Sequence, residues 1–213
     1  MAGRMKDPKV DVVRRQLVQA MIGIPALTLI GCGSAASASG SVPTSPTSLT
    51  PTPACDDGDD DPTPAQTEGP YFKSSSPQRA SLLETGIAGT LLTVSGRVLS
   101  TSCQAINAAK LGFWQADNRG TYDLAGFRLR GHQFTDTEGR FSLQTIVPGL
   151  YPGRTRHIHV KVQAPNGPIL TTQLYFPNEP RNASDGIFSS ALLTDVQDAA
   201  SGRAATFDFV LAG

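Results

Sequence analysis

The sequence has little charge and no excess of either sign. Only 17% of its 213 residues are charged, and 18 basic residues balance 18 acidic ones. No basic cluster contains interleaved aromatic residues, so we expect no nucleic-acid partner. No apolar run reaches the roughly 20 residues that a membrane-spanning helix needs. Gly (21) and Pro (16) are frequent, which argues against a helical bundle, while a hydrophobic fraction of 39% is enough for one core.

The first 31 residues have the pattern of an export signal. Arg14-Arg15 precede a short apolar run, Leu17–Ile30, whose length fits the apolar region of a signal peptide. Leu29–Cys32 looks like a bacterial lipobox, in which the cysteine is lipidated, and the arginine pair resembles a twin-arginine signal. We expect a signal peptide over residues 1–31 and an exported lipoprotein, anchored to a membrane at Cys32 on its periplasmic or extracellular side. The alternative is a short buried helix with a chance cysteine, and the export route stays open.

Residues 32–66 have the composition of a flexible linker. They are rich in Ser, Thr and Pro and include the acidic run Asp56–Asp61. Such a segment buries too little apolar area to offset its ordering entropy. The acidic run lacks the spacing and the closing Glu of a calcium-binding EF-hand loop, so we interpret it as a solvated part of the linker.

The three cysteines fit this division of the chain. If Cys32 is lipidated, Cys55 and Cys103 remain as a pair in a compartment where disulfides persist. We predict a Cys55–Cys103 disulfide that joins the end of the linker to the folded domain. The alternative is two free thiols.

From Thr67 onward the patterns are those of β-strands separated by turns. The predicted strands are Leu91–Leu99, Leu111–Ala116, Arg140–Ile146, His157–Val162, Thr171–Phe176 and Thr206–Leu211, with turns at Asp117–Gly120, Asp136–Gly139 and Pro165–Pro168. Only Ala105–Leu111 and Ser189–Gln197 could form short helical turns. Short strands with regular turns predict an all-β sandwich or barrel over residues 67–213.

Two of the three histidines, His157 and His159, stand two apart in a predicted strand. Residues at this spacing point to the same face, and neutral imidazole is the commonest metal ligand in proteins. No Cys or acidic residue stands beside them at ligand spacing, which disfavours a structural zinc site or a ferrous site of two His and one carboxylate. The alternative is a half-exposed strand with two polar side chains facing water.

Two tyrosines lie near this strand in irregular segments. Tyr151 and Arg154 belong to a bend rich in Pro and Gly that leads into His157, and Tyr122 follows a turn. Tyrosine phenolate is a hard anionic donor, which suits a trivalent ion such as Fe(III). We interpret Trp114 as a core residue, the alternative being a platform on which a substrate stacks.

Six segments carry a resemblance to a known family. They are, in order, Thr67–Phe72 (TEGPYF), Trp114–Asp117 (WQAD), Gly120–Asp123 (GTYD), Pro148–Arg154 (PGLYPGR), His157–His159 (HIH) and Gln173–Phe176 (QLYF). Together they resemble the intradiol ring-cleavage dioxygenases, the family of protocatechuate and catechol dioxygenases. The match covers about residues 64–212, and it implies a β-sandwich catalytic domain.

The resemblance also implies a site and a reaction. Non-haem Fe(III) would be held by Tyr122, Tyr151, His157 and His159. Arg154 and Gln173 would face the bound substrate, Tyr151 would also act as a base on leaving the metal, and Tyr71 and Gly153 would line the substrate pocket. The substrate would be a small aromatic diol of the catechol type, cleaved with O2 between its two hydroxyl-bearing carbons to a cis,cis-muconate.

The chain departs from the family pattern in ways that affect the substrate. A linker stands where catechol dioxygenases have a helical N-terminal domain. Gly153 replaces a bulky aromatic residue of some members, so we expect a pocket that is wider or differently shaped. We interpret Tyr175 as a packing residue. The ring substituents of the substrate and the oligomeric state stay open. The competing hypotheses are a non-catalytic cell-surface β-sandwich that binds a ligand, and a zinc hydrolase.

Overall fold

The computed structural model of the protein describes residues 61–212. These residues form two sheets packed face to face, which confirms the predicted all-β sandwich. The strands are β1 (Leu91–Ser100), β2 (Lys110–Trp114), β3 (Arg130–Phe134), β4 (Arg140–Ile146), β5 (His157–Gln163), β6 (Ile169–Tyr175), β7 (Asp195–Ala199), β8 (Gly202–Thr206) and β9 (Phe209–Leu211). Short 3₁₀ helices span Pro180–Ala183 and Ser190–Leu192.

The first sheet has the strand order β4-β1-β8-β7, and β9 also pairs with β1. The second sheet has the order β3-β2-β5-β6, with all neighbours antiparallel. Apolar residues alternate along the strands and meet between the sheets; Val94 and Leu143 from the first sheet and Phe113 and Val160 from the second are examples. This alternation leaves the opposite face of each sheet to polar residues.

The outer face of the second sheet carries the predicted site residues in adjacent positions. His159 on β5 stands opposite Trp114 on β2 and Gln173 on β6, and His157 stands opposite Tyr175. Directly opposed residues of antiparallel strands share a face, so these side chains form one patch.

A segment preceding the first strand crosses this outer face, and we call residues Gln66–Pro77 the strap. At the start of the strap, the Gln66 amide donates to the Thr171 carbonyl on β6 (2.8 Å). At its end, the Pro77 carbonyl accepts a hydrogen bond from the His132 amide on β3 (3.0 Å). Between these ends, Phe72 packs edge-on against Trp114 on β2. The strap therefore covers part of the site patch.

Residues 63–66, which the sequence assigned to the linker, hydrogen bond to the domain. The Thr63 amide donates to the Val210 carbonyl (2.9 Å) and the Val210 amide to Thr63 Oγ1 (2.8 Å). Thr172 Oγ1 donates to the Pro64 carbonyl (2.7 Å). The end of the linker thus contacts both sheets before the strap begins.

Several sequence-based boundaries differ from the structure. The strand predicted over Thr206–Leu211 is interrupted at Phe207 and Asp208, because the Asp208 carboxylate accepts a hydrogen bond from the Arg97 amide of β1 (2.7 Å). No helix forms over Ala105–Leu111, where Ala105 instead bridges to Leu99 and β2 begins. The strands β3 and β7 were not predicted, and β8 was predicted only at its last residue, Thr206. Of the possible helical turn over Ser189–Gln197, only the 3₁₀ helix Ser190–Leu192 forms, and β7 begins at Asp195.

The predictions of export and of the disulfide involve residues that the structure does not describe. Residues 1–31, Cys32 and Cys55 lie outside the described residues. Cys103 is disulfide-bonded, and its pairing with Cys55 stays a prediction. Among residues 61–212, no helix has the length and apolar character needed to cross a membrane.

Candidate metal centre

The two strand histidines converge on one point. The Nε2 atoms of His157 and His159 lie 3.1 Å apart, and both side chains are buried. Trp114 stacks on the His159 ring with a centroid separation of 4.8 Å and an interplanar angle of 7°. The imidazole of His159 is therefore fixed by an aromatic wall rather than facing water, which argues against the exposed-strand alternative.

The protonation of both histidines favours metal binding. His157 Nδ1 lies 2.7 Å from the Thr155 carbonyl, to which it donates, so Nε2 carries the lone pair and faces His159 Nε2 and the Tyr122 hydroxyl. Burial lowers the pKa of His157 to about 4, against a smaller opposing effect of the Thr155 hydrogen bond. Burial, followed by the neighbouring His157, lowers the pKa of His159 well below its usual value. Both imidazoles are neutral at pH 7, the form that binds metal ions.

Tyr122 is the more enclosed of the two predicted tyrosine ligands. Its hydroxyl lies 3.3 Å from His157 Nε2, and its ring stacks on Tyr71 with a centroid separation of 4.5 Å. Burial raises the pKa of Tyr122 well above its usual value, although Arg154 and Arg130 act in the opposite direction. A phenolate at this position therefore needs a cation beside it.

Tyr151 completes the group from the other side. Its ring centroid lies 5.8 Å from that of Tyr122. Its hydroxyl forms a 2.8 Å hydrogen bond with the hydroxyl of Tyr71 on the strap, and this hydrogen bond raises the pKa of Tyr71. The side chain is only half-buried, so Tyr151 is the predicted ligand with more room to move.

A contact between two glycines brings the tyrosine-bearing loops together. A Cβ on Gly149 would lie 2.3 Å from the Gly120 amide nitrogen, and a Cβ on Gly120 would lie 2.1 Å from the Leu150 carbonyl oxygen. Each glycine precedes its tyrosine by two residues. Because only a residue without a side chain permits this backbone approach, the sequence patterns GTY and GLY place the two phenols side by side.

Arg154 lies at the centre of a buried hydrogen-bond network. Its Nη2 donates to Gln173 Oε1 (2.7 Å) and to the Tyr175 hydroxyl (3.2 Å), and its Nε donates to Asp185 Oδ2 (2.8 Å). Gln173 Nε2 donates to the Thr67 carbonyl on the strap (2.9 Å). The guanidinium is thus held in place next to the His and Tyr side chains.

The donor set fits a hard trivalent cation. Two neutral imidazole nitrogens and two phenol oxygens converge, and a cation would favour loss of the phenol protons. Within residues 61–212, no group of three or more His, Cys, Asp or Glu side chains could hold a metal ion. A metal bound at this place would therefore take oxygen donors from tyrosine.

The structure brings together the predicted site residues of residues 61–212. These are Tyr71, Tyr122, Tyr151, Arg154, His157, His159 and Gln173, with Gly153 beside them in the bend. Sequence reasoning missed Thr155 and Asp185. Tyr175 packs in the core as predicted, and its hydroxyl also joins the Arg154 network. Trp114 is buried as predicted, and it packs on a site residue.

Among the solved structures that resemble this chain, one relative matches along nearly its whole length. The dioxygenase domain of a dioxygenase–carbohydrate-binding protein fusion from Streptomyces sp. SirexAA-E is 60% identical, with a TM-score of 0.70. The alignment covers 71% of this chain and 99% of that domain. The 3-chlorocatechol 1,2-dioxygenase of Rhodococcus opacus is 27% identical with a TM-score of 0.65, covering 71% of this chain and 73% of that one.

Curated enzymes match over shorter shares of their length. The hydroxyquinol 1,2-dioxygenase of a Rhizobium species is 28% identical, covering 61% of this chain and 53% of the enzyme. The protocatechuate 3,4-dioxygenase β chain of Burkholderia cepacia is 35% identical, covering 47% and 50%. The chain thus spans about half the length of these relatives. A family model described as Dioxygenase matches residues 67–213, and the chain therefore belongs to this dioxygenase family.

Proposed function

We propose that the protein is a non-haem Fe(III) intradiol dioxygenase. It would cleave a small aromatic diol with O2 between the two hydroxyl-bearing carbons, giving a cis,cis-muconate-type product. The observation that carries the proposal is the convergence of two tyrosines and two histidines beside Arg154 in a member of the dioxygenase family. Bound at Tyr122, Tyr151, His157 and His159, Fe(III) would supply a Lewis acid that favours the deprotonated form of the diol.

Tyr151 is the residue suited to take a proton from the diol. Its hydroxyl oxygen already shares a hydrogen bond with Tyr71, so the protonated phenol has a partner away from the histidines. Tyr122 is enclosed by Tyr71 on one face and lies against His157, which suits a ligand that stays in place.

Arg154 is the residue suited to stabilise negative charge on the diol ring. A guanidinium stays cationic in any pocket, and here Gln173 and Asp185 fix its orientation. Trp114 and Phe72 form an apolar wall beside His159 that excludes water from that side of the site.

Gly153, which the family resemblance places at the substrate pocket, would leave room there for ring substituents. A Cβ at Gly153 would meet no atom within 4 Å. The relatives named above act on hydroxyquinol, protocatechuate and 3-chlorocatechol, which differ in what the ring carries. We therefore propose a diol of this class as substrate and choose these compounds as the test panel.

Oxygen uptake with this panel tests the proposal. We expect the iron-loaded protein to consume O2 with hydroxyquinol, protocatechuate or 3-chlorocatechol and to form a muconate-type product, while resorcinol, whose hydroxyls are not adjacent, gives no uptake. The resting protein should be red from phenolate-to-Fe(III) charge transfer, and His157→Ala should lose most of the iron. A colourless iron-loaded protein that binds diols without O2 uptake would instead support the non-catalytic binding protein.

We also propose that the enzyme is exported and anchored by lipid at Cys32. The support is the order of Arg14-Arg15, the apolar run and the lipobox in the sequence. Cys32→Ala should remove the lipid mass and release the protein from the membrane fraction. Unchanged membrane association and mass would contradict the anchor.

A further inference from the structure

A buried carboxylate outside the predicted site organises the loops around Arg154. Asp185 follows the 3₁₀ helix Pro180–Ala183, and its side chain is only 2% exposed. No resemblance motif in the sequence includes it. Burial alone would raise the pKa of Asp185. Three hydrogen bonds to the carboxylate outweigh burial and hold this pKa below its usual value; the donors are the Thr155 amide, Arg154 and the Ile187 amide. Asp185 is therefore an ionised group inside the protein.

A single oxygen of this carboxylate holds two consecutive residues. Asp185 Oδ2 accepts from Arg154 Nε and from the Thr155 amide, each at 2.8 Å. The other oxygen, Oδ1, accepts from the Ile187 amide at 3.2 Å. Asp185 thus fixes both the backbone just after Arg154 and the base of its guanidinium.

A second set of hydrogen bonds fixes the guanidinium through Nη2, the nitrogen next to the edge that Asp185 binds. Nη2 donates to Gln173 and Tyr175, and in a planar guanidinium the Nε–H and one Nη2–H point to the same side. Among the residues that the structure describes, no hydrogen bond is made by Nη1 of Arg154. Asp185, Gln173 and Tyr175 thus hold Nε and Nη2, so Nη1 is the guanidinium nitrogen that could donate to a substrate.

We propose that Asp185 is the positioning residue of Arg154: by holding Nε, it turns the free edge of the guanidinium toward the substrate. The inference rests on the proposed function for what Arg154 faces, but the positioning itself does not need iron or substrate. The competing explanation is that Asp185 only stabilises its own loop.

A measurement on the metal-free protein tests the positioning directly. In NMR spectra, we expect the Nε–Hε proton of Arg154 to exchange slowly with water, because it is buried against a carboxylate. In Asp185→Asn the exchange should accelerate at least about tenfold, since a neutral amide oxygen accepts more weakly than a carboxylate. An unchanged exchange rate in a folded Asp185→Asn variant would overturn the proposal. This measurement needs no turnover. A wild-type protein without dioxygenase activity would therefore contradict the proposed function but not the positioning of Arg154.

A double-mutant cycle tests the consequence for the reaction. In Asp185→Asn, Arg154 should be misplaced, and kcat should fall on the order of 100-fold. The change in KM should be smaller, and the iron content should be unchanged. If Asp185 acts through Arg154, then Asp185→Asn adds little to the loss already caused by Arg154→Gln. If the kcat losses of the two single variants instead multiply in the double variant, Asp185 has a merely structural role and the proposal is overturned.

The adjacent pair Arg156–Glu179 provides a matched control. Arg156 Nε donates to Glu179 Oε1 at 2.7 Å, and this pair also joins the bend to the loop after β6. Glu179→Gln should leave kcat and the Arg154 Nε–Hε exchange unchanged.

If Asp185→Asn fails to fold, Arg154→Lys serves instead. A single ammonium cannot reproduce the planar set of N–H donors that binds Asp185 and Gln173 together. Arg154→Lys with full kcat would overturn the proposal.

Discussion

The two tyrosines of the candidate metal centre are held with different firmness by their surroundings. Tyr122 is buried, stacks on Tyr71 and contacts His157. Tyr151 is half-buried in a bend and shares its hydroxyl hydrogen bond with Tyr71. Tyr122 is therefore held rigidly, whereas the hydroxyl of Tyr151 can exchange one partner for another.

We predict that the two Tyr→Phe variants behave differently. Tyr151→Phe should keep most of the iron and a red colour with a shifted absorption band, but turn over about 100-fold more slowly, because the proton acceptor is lost. Tyr122→Phe should lose most of the iron. Metal analysis, visible spectra and O2 uptake check this. Near-normal activity with an unchanged spectrum in Tyr151→Phe would show that Tyr151 is not a ligand.

The pKa of His157 predicts how the metal-free protein responds to acid. Burial lowers this pKa from 6.5 to about 4, so the folded state binds a proton less readily than the unfolded chain. The stability that depends on neutral His157 is therefore complete above pH 6.5 and is lost as the pH falls toward 4. The loss amounts to about 3 kcal/mol at most, and the lowered pKa of His159 adds to it. Urea unfolding at pH 7 and pH 5 measures the effect; equal unfolding free energies would contradict it.

Single residues of the site differed in how visible they were in the sequence. His157 and His159 stand out because a strand converts a spacing of two into a shared face. Tyr122 and Tyr151 depended on the family resemblance, since neither lies in a regular element. Asp185 and Thr155 act through a carboxylate–amide contact and a backbone carbonyl, and neither contact has a local sequence pattern.

At the scale of structural elements, the backbone contact between Gly120 and Gly149 joins the two loops that carry the phenols. Gly120 also has a positive φ of 84°, whereas Gly149 is limited only by the space around it. The separation of the two phenol rings therefore depends on a contact that neither ring makes.

We predict that Gly149→Ala separates the two loops. Its Cβ would meet backbone atoms of Asn118 and Gly120, which cannot move aside as a side chain can, so we expect a cost of about 3 kcal/mol and loss of iron binding. Gly112→Ala on β2 is the control, because a Cβ there meets nothing within 4 Å. Thermal unfolding and metal titration of both variants measure the difference. Equal iron affinity in the two would contradict the role of the contact.

Strands were predictable where their residues alternate cleanly. β4 alternates exposed and buried residues along Arg140–Ile146, and its predicted and observed bounds agree. β3 carries Arg, Gly, His and Gln in Arg130–Phe134, and the interior side of Gly131 and Gln133 gives no apolar signal. β7 has mostly exposed residues at a sheet edge, so nothing in its sequence marks a buried face.

At the scale of the whole molecule, the end of the linker is tied to the domain at β9, and we predict a second tie after β1. Cys103 follows β1 and is disulfide-bonded, and Thr63 pairs with Val210 on β9. We predict that non-reducing mass mapping joins Cys103 to Cys55, and that Cys55→Ser lowers the unfolding free energy by about 4 kcal/mol, the chain-entropy value for a loop of this length. A peptide linking Cys103 to Cys32 would contradict the predicted pairing.

The junction at residues 63–66 has a mechanical consequence. On its way to the strap, the chain passes the position of the predicted Cys55–Cys103 disulfide, then forms hydrogen bonds to β9 and after them hydrogen bonds to β6. Tension applied to the linker is therefore transferred to the two sheets before it can reach Tyr71, five residues further along than Gln66. We therefore expect that a pull on the proposed anchor, by flow or by neighbouring molecules, would load the sandwich before it changed the geometry around the phenols.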